Sequence, residues 1–290
     1  MTMRIRKNLF IRALKINEKH YGKDHPQTAV ALIGLANAWG KLNDYKKKKI
    51  YLTRALEIQE KHYGSDNPET AITYNNLGIL WGKFGDYEKQ RDFLTRTIEI
   101  YDKHYGKDYP DTAITLNDLA TAWGNLGDYE TQKDLLTRAL EIKEKSFGKD
   151  HPQTAVTLND LGNAWGNLGD YEKQKDLLAQ ALEIKEKFYG INHSQTAVIL
   201  NDLGNAWGNL GDYETQIELL TRALEIEESY YERDYADLAI TLNNLANACG
   251  MLGDYEKQEY FRTRAMYYGT SNHYYTYHLY SGNQINQIKG

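Results

Sequence analysis

Residues 158–178 read LNDLGNAWGNLGDYEKQKDLL, and residues 200–220, forty-two positions later, read LNDLGNAWGNLGDYETQIELL. Three changes in twenty-one positions mean that the chain is built from a unit. A unit narrows the choice of fold, because each copy must offer its neighbour the surface that its neighbour offers in return. Units open at His25, Asn67, Tyr109, His151, His193 and Tyr235. Ahead of them FIRALKINEKHYGKD (10–24) matches the end of a unit such as YLTRALEIQEKHYGSD (51–66), so the chain opens in the second half of a repeat. A repeated phrase makes a better wall than an active site, since catalysis needs one asymmetric constellation.

The unit opening at His151 shows what is repeated. Pro152 stands where a first helical residue would, with Asp150 and His151 ahead of it as caps. Val156, Leu158, Leu161, Ala164, Trp165 and Leu168 then recur at mostly three-and-four spacing, which predicts helix A. Gly169 supplies a left-handed stop and Asp170 an N-cap. Helix B carries Tyr171, Leu177, Leu178, Ala181, Leu182, Ile184 and Phe188 on one broad face and ends at Gly190. One hairpin cannot bury both faces of its helices, so hairpins must stack. Trp39, Trp81, Trp123, Trp165 and Trp207 share one position, filled by Cys249 in the sixth unit, and are expected in the core. Tyr45, Tyr87, Tyr129, Tyr171, Tyr213 and Tyr255 share another and are expected to pack helix B onto helix A.

The order of small and large residues at Leu158, Leu161, Gly162, Trp165, Gly169, Tyr171, Leu178 and Ala181 resembles the tetratricopeptide repeat. The 42-residue length, with TLNDL or TLNNL before this string and RALEI and GKDHPQTA after it, resembles the kinesin light chain-like form of that repeat over residues 10–265. The resemblance implies an all-α fold: a right-handed α-solenoid of about six helix-turn-helix hairpins plus an N-terminal half repeat. The expected bounds are 1–24 for the half repeat, then 25–66, 67–108, 109–150, 151–192, 193–234 and 235–268, with an irregular Tyr-rich tail at 269–290. The chain departs from the family at Gln90, Gln132, Gln174, Gln216 and Gln258, with Lys48 in the first unit, where a small alanine is usual. It carries no heptad segment for a coiled coil, so a motor-subunit role does not follow. Armadillo repeats have a similar period but need a third short helix, for which no segment is found.

The resemblance also implies that helix A lines a concave groove for peptides or partner proteins. Counting from Ala155, the second, fifth, ninth and thirteenth residues should face it: Val156, Asn159, Asn163 and Asn167 in the fourth unit. The fifth-position set is Asn75, Asn117, Asn159, Asn201 and Asn243; the ninth includes Asn37, Asn163, Asn205 and Asn247; the thirteenth includes Asn125, Asn167 and Asn209, with Lys41 and Lys83 in the first two units. An amide offers donor and acceptor side by side and can pair with the backbone of an extended peptide. Asparagine is a poor helix-interior residue, so its repeated use on one face asks for a reason. Ligand contact is the preferred one; bonding between repeats and duplication without selection are the others. Gly40, Gly82, Gly124, Gly166, Gly208 and Gly250 would either admit a ligand backbone or loosen the helix end, and the second is preferred.

Charge adds a direction. The net charge is −5, which argues against general nucleic-acid binding, but residues 1–66 carry a net +8. Asp118, Asp160 and Asp202 hold the sixth position of the middle units. A ligand with an acidic segment would lie toward the N-terminal end; the competing reading makes these merely solvated faces. A helical-repeat RNA binder would show a basic face and a period near 35, and neither is seen.

No phosphate loop or catalytic motif is found, so no enzyme activity and no cofactor are expected. His20, His62 and His104 recur near the end of helix B, and His25, His151 and His193 lie in loops, none with a helical HxxxH partner; no metal site is expected. One cysteine rules out an internal disulfide. No run is long and apolar enough to span a membrane, and no signal core follows Met1, which suggests a cytoplasmic protein without membrane contact. Helix B of the opening half repeat carries Phe10, Ile11 and Leu14 with no helix A of its own, which raises self-association through that end. The leading function is a non-catalytic protein–protein interaction scaffold. The alternative is a structural or sensor repeat array that oligomerises within a larger signalling assembly.

Overall fold

The prolines set the first helices. Pro26, Pro68, Pro110 and Pro152 each occupy a first helical position, where the missing N–H would have had no intrahelical partner. The residue before each is extended, and in three of the four its side chain supplies the cap, Tyr109 before Pro110 being the exception. His25 Nδ1 accepts from the Gln27 N–H at 3.2 Å, Asn67 Oδ1 from Glu69 at 2.9 Å, and His151 Nδ1 from Gln153 at 3.2 Å. The imidazole thus does the work of an asparagine, and of the two caps expected from sequence it is His151, not Asp150, that acts. The second helices open on aspartates: Asp170 accepts from the Lys173 N–H at 3.1 Å, as Asp44 does from Lys47 at 3.0 Å. Between the two helices Gly169 takes φ +85°, and after the second Gly190 takes φ +94°, both left-handed as expected. In the first hairpin Asn43 holds the equivalent turn at φ 59°.

The computed structural model describes residues 3–230 and 235–268; the tail expected at 269–290 lies outside them. The helices are α1 (Met3–His20), α2 (Pro26–Gly40), α3 (Tyr45–Tyr63), α4 (Pro68–Lys83), α5 (Tyr87–Tyr105), α6 (Pro110–Asn125) and α7 (Tyr129–Phe147). They continue with α8 (Pro152–Asn167), α9 (Tyr171–Tyr189), α10 (Ser194–Asn209), α11 (Tyr213–Tyr230), α12 (Tyr235–Met251) and α13 (255–268). No strand occurs among the described residues. The fold is the all-α solenoid class, hairpins packed on their chain neighbours.

Two compact units divide between Ser146 and Phe147. In the first, α1–α7, each apolar cluster joins consecutive helices. Ala36 and Leu52 meet Leu77 and Leu80, with Tyr45 and Trp81 against them; Leu94 and Ile98 meet Ala113, Leu116, Ala139 and Ile142. In the second, Ala197 and Leu200 meet Ala223 and Ile226, and Leu220, Leu224, Leu238, Leu242 and Ala265 close the last seam. Each seam is therefore a core, which is why one hairpin does not suffice.

Four expectations change. The indoles are half-buried rather than sealed, although Cys249 in the same position is buried. Phe188 and Tyr255 are exposed, so neither takes the packing role expected of it. At α1, Phe10 lies on Gly34, where a Cβ would come within 2.3 Å of its ring, and Leu14 joins the cluster of Ala29 and Leu32. The first full hairpin packs on both, which are half-buried; among the described side chains of α1, Leu9 and Ile16 are exposed. The late helix A glycines have a use beyond the two expected: each makes room for a side chain of helix B. A Cβ on Gly166 would lie 2.4 Å from Gln174 Oε1, and one on Gly82 would lie 2.5 Å from Gln90 Oε1. The glutamine that departs from the family pattern occupies the space the glycine leaves.

Candidate functional site

Residues on the outer side of helix A are the expected ligand surface, and the structure sorts them into two groups. The second position holds a β-branched apolar residue in all six hairpins: Val30, Ile72, Ile114, Val156, Val198 and Ile240, between 42% and 58% exposed. Water-facing Val and Ile are ordinary singly. Six at one position, in a chain that buries Leu two residues further on, are not accounted for by packing. Asn37 and Asn247 of the ninth-position set and Asn125, Asn167, Asn209, Lys41 and Lys83 of the thirteenth are also exposed.

Five of the other amides make polar contacts inside or between hairpins. In the first unit, Asn75 Oδ1 accepts from Thr115 Oγ1 at 3.3 Å, and Asn117 Oδ1 accepts from the Lys143 ammonium at 3.1 Å. In the second unit, Asn201 Nδ2 donates to Thr241 Oγ1 at 2.8 Å and to Glu227 Oε1 at 3.0 Å. Asn163 Nδ2 donates to Asp202 Oδ2 at 2.7 Å, and Asn159 also bonds that carboxylate. Asn205 is half-buried and Asn243 exposed. Asn75, Asn159 and Asn201 thus lie half-buried in polar contacts between hairpins and Asn117 in one between the two helices of its own hairpin, and Asp202, expected to bear on ligand charge, is held in such a seam too. Burial pushes the Asp202 carboxyl above its usual range, while the amide bonds oppose the rise.

One recess opens on this side in the second unit. It is a cavity of about 280 Å³ lined by Val156, Asn159, Lys185, Gln195, Val198 and Ile199 among others. Lys185 is buried and donates to Gln195 Oε1 at 2.7 Å; burial lowers its ammonium's pKa.

Sequence reasoning missed the cations over the indoles. Lys47 Nζ lies 4.1 Å from the Trp39 ring centre and Lys173 Nζ 3.9 Å from that of Trp165. Trp81 is flanked by Lys49 and Lys89, each at 4.3 Å, and Trp123 has Arg91 at 5.4 Å. A half-buried indole is therefore compatible with the fold: its open face meets the aliphatic stem and charge of a neighbouring lysine or arginine. The signal was present in KKKK after the first hairpin's turn and EKQ after those of the second and fourth, but it joins residues eight apart across a turn and, for Lys49 and Arg91, helices of successive hairpins.

Two of the helix B histidines bond to the backbone. His62 Nε2 lies 2.7 Å from the Asp24 carbonyl and His104 Nε2 2.9 Å from that of Asp66, tying helix B to the preceding loop. Among the described residues no group of three His, Cys, Asp or Glu side chains is arranged to hold a metal ion, and no helix is long and apolar enough to cross a membrane.

Stacked helical hairpins with a polar seam and an exposed helix A face define a helical-repeat protein. Two tetratricopeptide repeat family models match the sequence, one over residues 28–69, 112–153 and 154–195, the other over 49–103 and 208–257. The chain belongs to the tetratricopeptide repeat family. No curated protein sequence matches it. Among solved structures, the nearly identical TPR-like repeats of a candidate kinesin light chain from Podosopora anserina align at 20% identity, TM-score 0.63, over 71% of this chain and 97% of that one. BtubC (BKLC) from P. vanneervenii aligns at 17% identity, TM-score 0.53, over 94% and 93%. The apo form of RapI aligns at 14% identity, TM-score 0.63, over 83% and 97%. At these identities the likeness is one of fold.

Proposed function

We propose that the protein is a non-catalytic scaffold of the cytoplasm that binds an extended segment of a partner protein along the outer side of its helix A residues. The observation carrying this is the exposed Val or Ile at the second position of every hairpin, flanked by Asn37, Asn125, Asn167, Asn209 and Asn247. Apolar anchors at a regular spacing take alternate side chains of an extended peptide, and the amides pair with its backbone. The fifth-position amides set the spacing by joining hairpins. Lys41 and Lys83 favour acidic residues in the part of the ligand nearest them.

Peptides selected from a random display library against the purified protein test this. Val156→Asp with Val198→Asp, and separately Asn167→Ala with Asn209→Ala, should each weaken selected peptides by about tenfold or more with helicity unchanged. Selected peptides that bind both variants as tightly as the parent would refute the reading. The oligomerising alternative rests on exposed Leu9 and Ile16 of α1; Leu9→Lys with Ile16→Lys would then abolish a concentration-dependent dimer in light scattering.

A further inference from the structure

Near-identical repeats provide their own reference, and α3 departs from a pattern on which four later helices agree. In α5, α7, α9 and α11 the second residue is Glu (Glu88, Glu130, Glu172, Glu214) and the sixth is acidic (Asp92, Asp134, Asp176, Glu218). In α3 these positions are Lys46 and Ile50. The acids elsewhere have a definite task, because the fifth residue of α5, α7 and α9 is a cation. Lys133 pairs with Glu130 and lies 3.4 Å from Asp134; Lys175 pairs with Glu172 and lies 3.6 Å from Asp176; Arg91 lies 2.8 Å from Asp92. The α3 counterpart, Lys49, makes no ion pair among the described residues. Asp86, which feels its charge, is bonded to Lys89.

Where the carboxylates are missing, the surface is open and apolar. A recess of about 850 Å³ is lined by Ile50, Trp81 and Phe84, with Lys46 and Lys49 on its rim. Ile50 is 64% and Phe84 43% exposed, and Phe84 sits edge-on to Trp81 at 5.7 Å. The recess belongs to α3 and the turn between α4 and α5, not to the outer residues of helix A. Its apolar lining of Ile50, Trp81 and Phe84, with the carboxylate of Glu57 among the lining cations Lys46, Lys49 and Arg54, favours a protein segment over a phosphate backbone or an anionic membrane.

We infer that this recess is a second docking site, which takes an acidic protein segment carrying a leucine-like side chain. Its carboxylates pair with Lys49, as Glu and Asp pair with the fifth-position cation in α7 and α9, and with Lys46, and its apolar side chain covers Ile50 and Phe84. The complementarity is read from the chain itself: the missing partner has the charge of the residues that α5, α7, α9 and α11 supply from their own helices.

The test uses the full chain and a fluorescein-labelled dodecapeptide of glutamate with leucine at every fourth position, read by fluorescence anisotropy. Lys46→Glu with Ile50→Asp restores the pattern of α9, so it should fold, which a circular dichroism melt verifies. It is expected to weaken the peptide by about tenfold or more, as is high salt. Ile50→Ser alone should weaken the same peptide yet leave an all-glutamate dodecapeptide unaffected. Val156→Asp with Val198→Asp should have no effect on either, which separates this site from the helix A surface. Absence of binding to the parent, equal binding by the Lys46→Glu, Ile50→Asp variant, or tighter Lys46-dependent binding of a single-stranded dodecanucleotide or of phosphatidylserine vesicles would each overturn the inference.

Discussion

Asp202 carries a cost that its neighbours reduce but do not remove. Its carboxylate sits between α8 and α10, accepting from Asn163 and Asn159, and burial raises its pKa above the unfolded value near 3.9. A carboxyl whose folded pKa is raised binds its proton more readily in the folded state. Stability therefore rises as pH falls through that raised value and stops rising below the unfolded one. Above the raised value the group is charged and its burial costs stability. Asp202→Asn keeps an acceptor for Asn163 and offers a donor to Asn159 Oδ1, which is buried without a partner. The variant should melt higher than the parent at pH 7, with the difference shrinking toward about pH 4, followed by scanning fluorimetry. A pH-independent difference, or a lower melting point throughout, would show that the charged form is the one the seam requires. From sequence this aspartate read as surface charge for a ligand, because nothing along one helix reveals that the preceding hairpin's amides close over it.

Within a hairpin the caps, stops and prolines were legible, since each acts on backbone within a few residues: Pro152 and Gly169 do what their chemistry demands. The contact between the helices was not. Gly166 and Gln174 appeared as two separate oddities, a loosened helix end and a departure from a family alanine, and they are one interdigitation. Gly166→Ala should therefore destabilise the protein by about 1–3 kcal/mol, because the new methyl overlaps the glutamine side chain. Adding Gln174→Ala should restore much of the loss. Urea unfolding of both single variants and the double variant measures the coupling, which would be near zero if helix propensity alone placed the glycine.

Across the chain the 42-residue period fixed the number and order of hairpins before any coordinate was known. The seams repeat enough of their residues that one hairpin can follow another out of turn. Removing residues 67–108 should leave a folded protein of unchanged helicity per residue, with a urea slope smaller by about a seventh. Aggregation of that deletion in place of a cooperative transition would show that the seams are not interchangeable. What the period could not convey is where repeats differ in task, as α3 does at Lys46 and Ile50; such departures acquire meaning only once it is known what the acids do elsewhere. The indoles offer a last consequence. Trp39, Trp81, Trp123, Trp165 and Trp207 stand one to a hairpin, each half open and met by its own set of cations. Leaving a single chromophore in place and silencing the rest would make that hairpin's parting visible in emitted light, so a molecule that spells nearly the same phrase at every step can still be followed one step at a time.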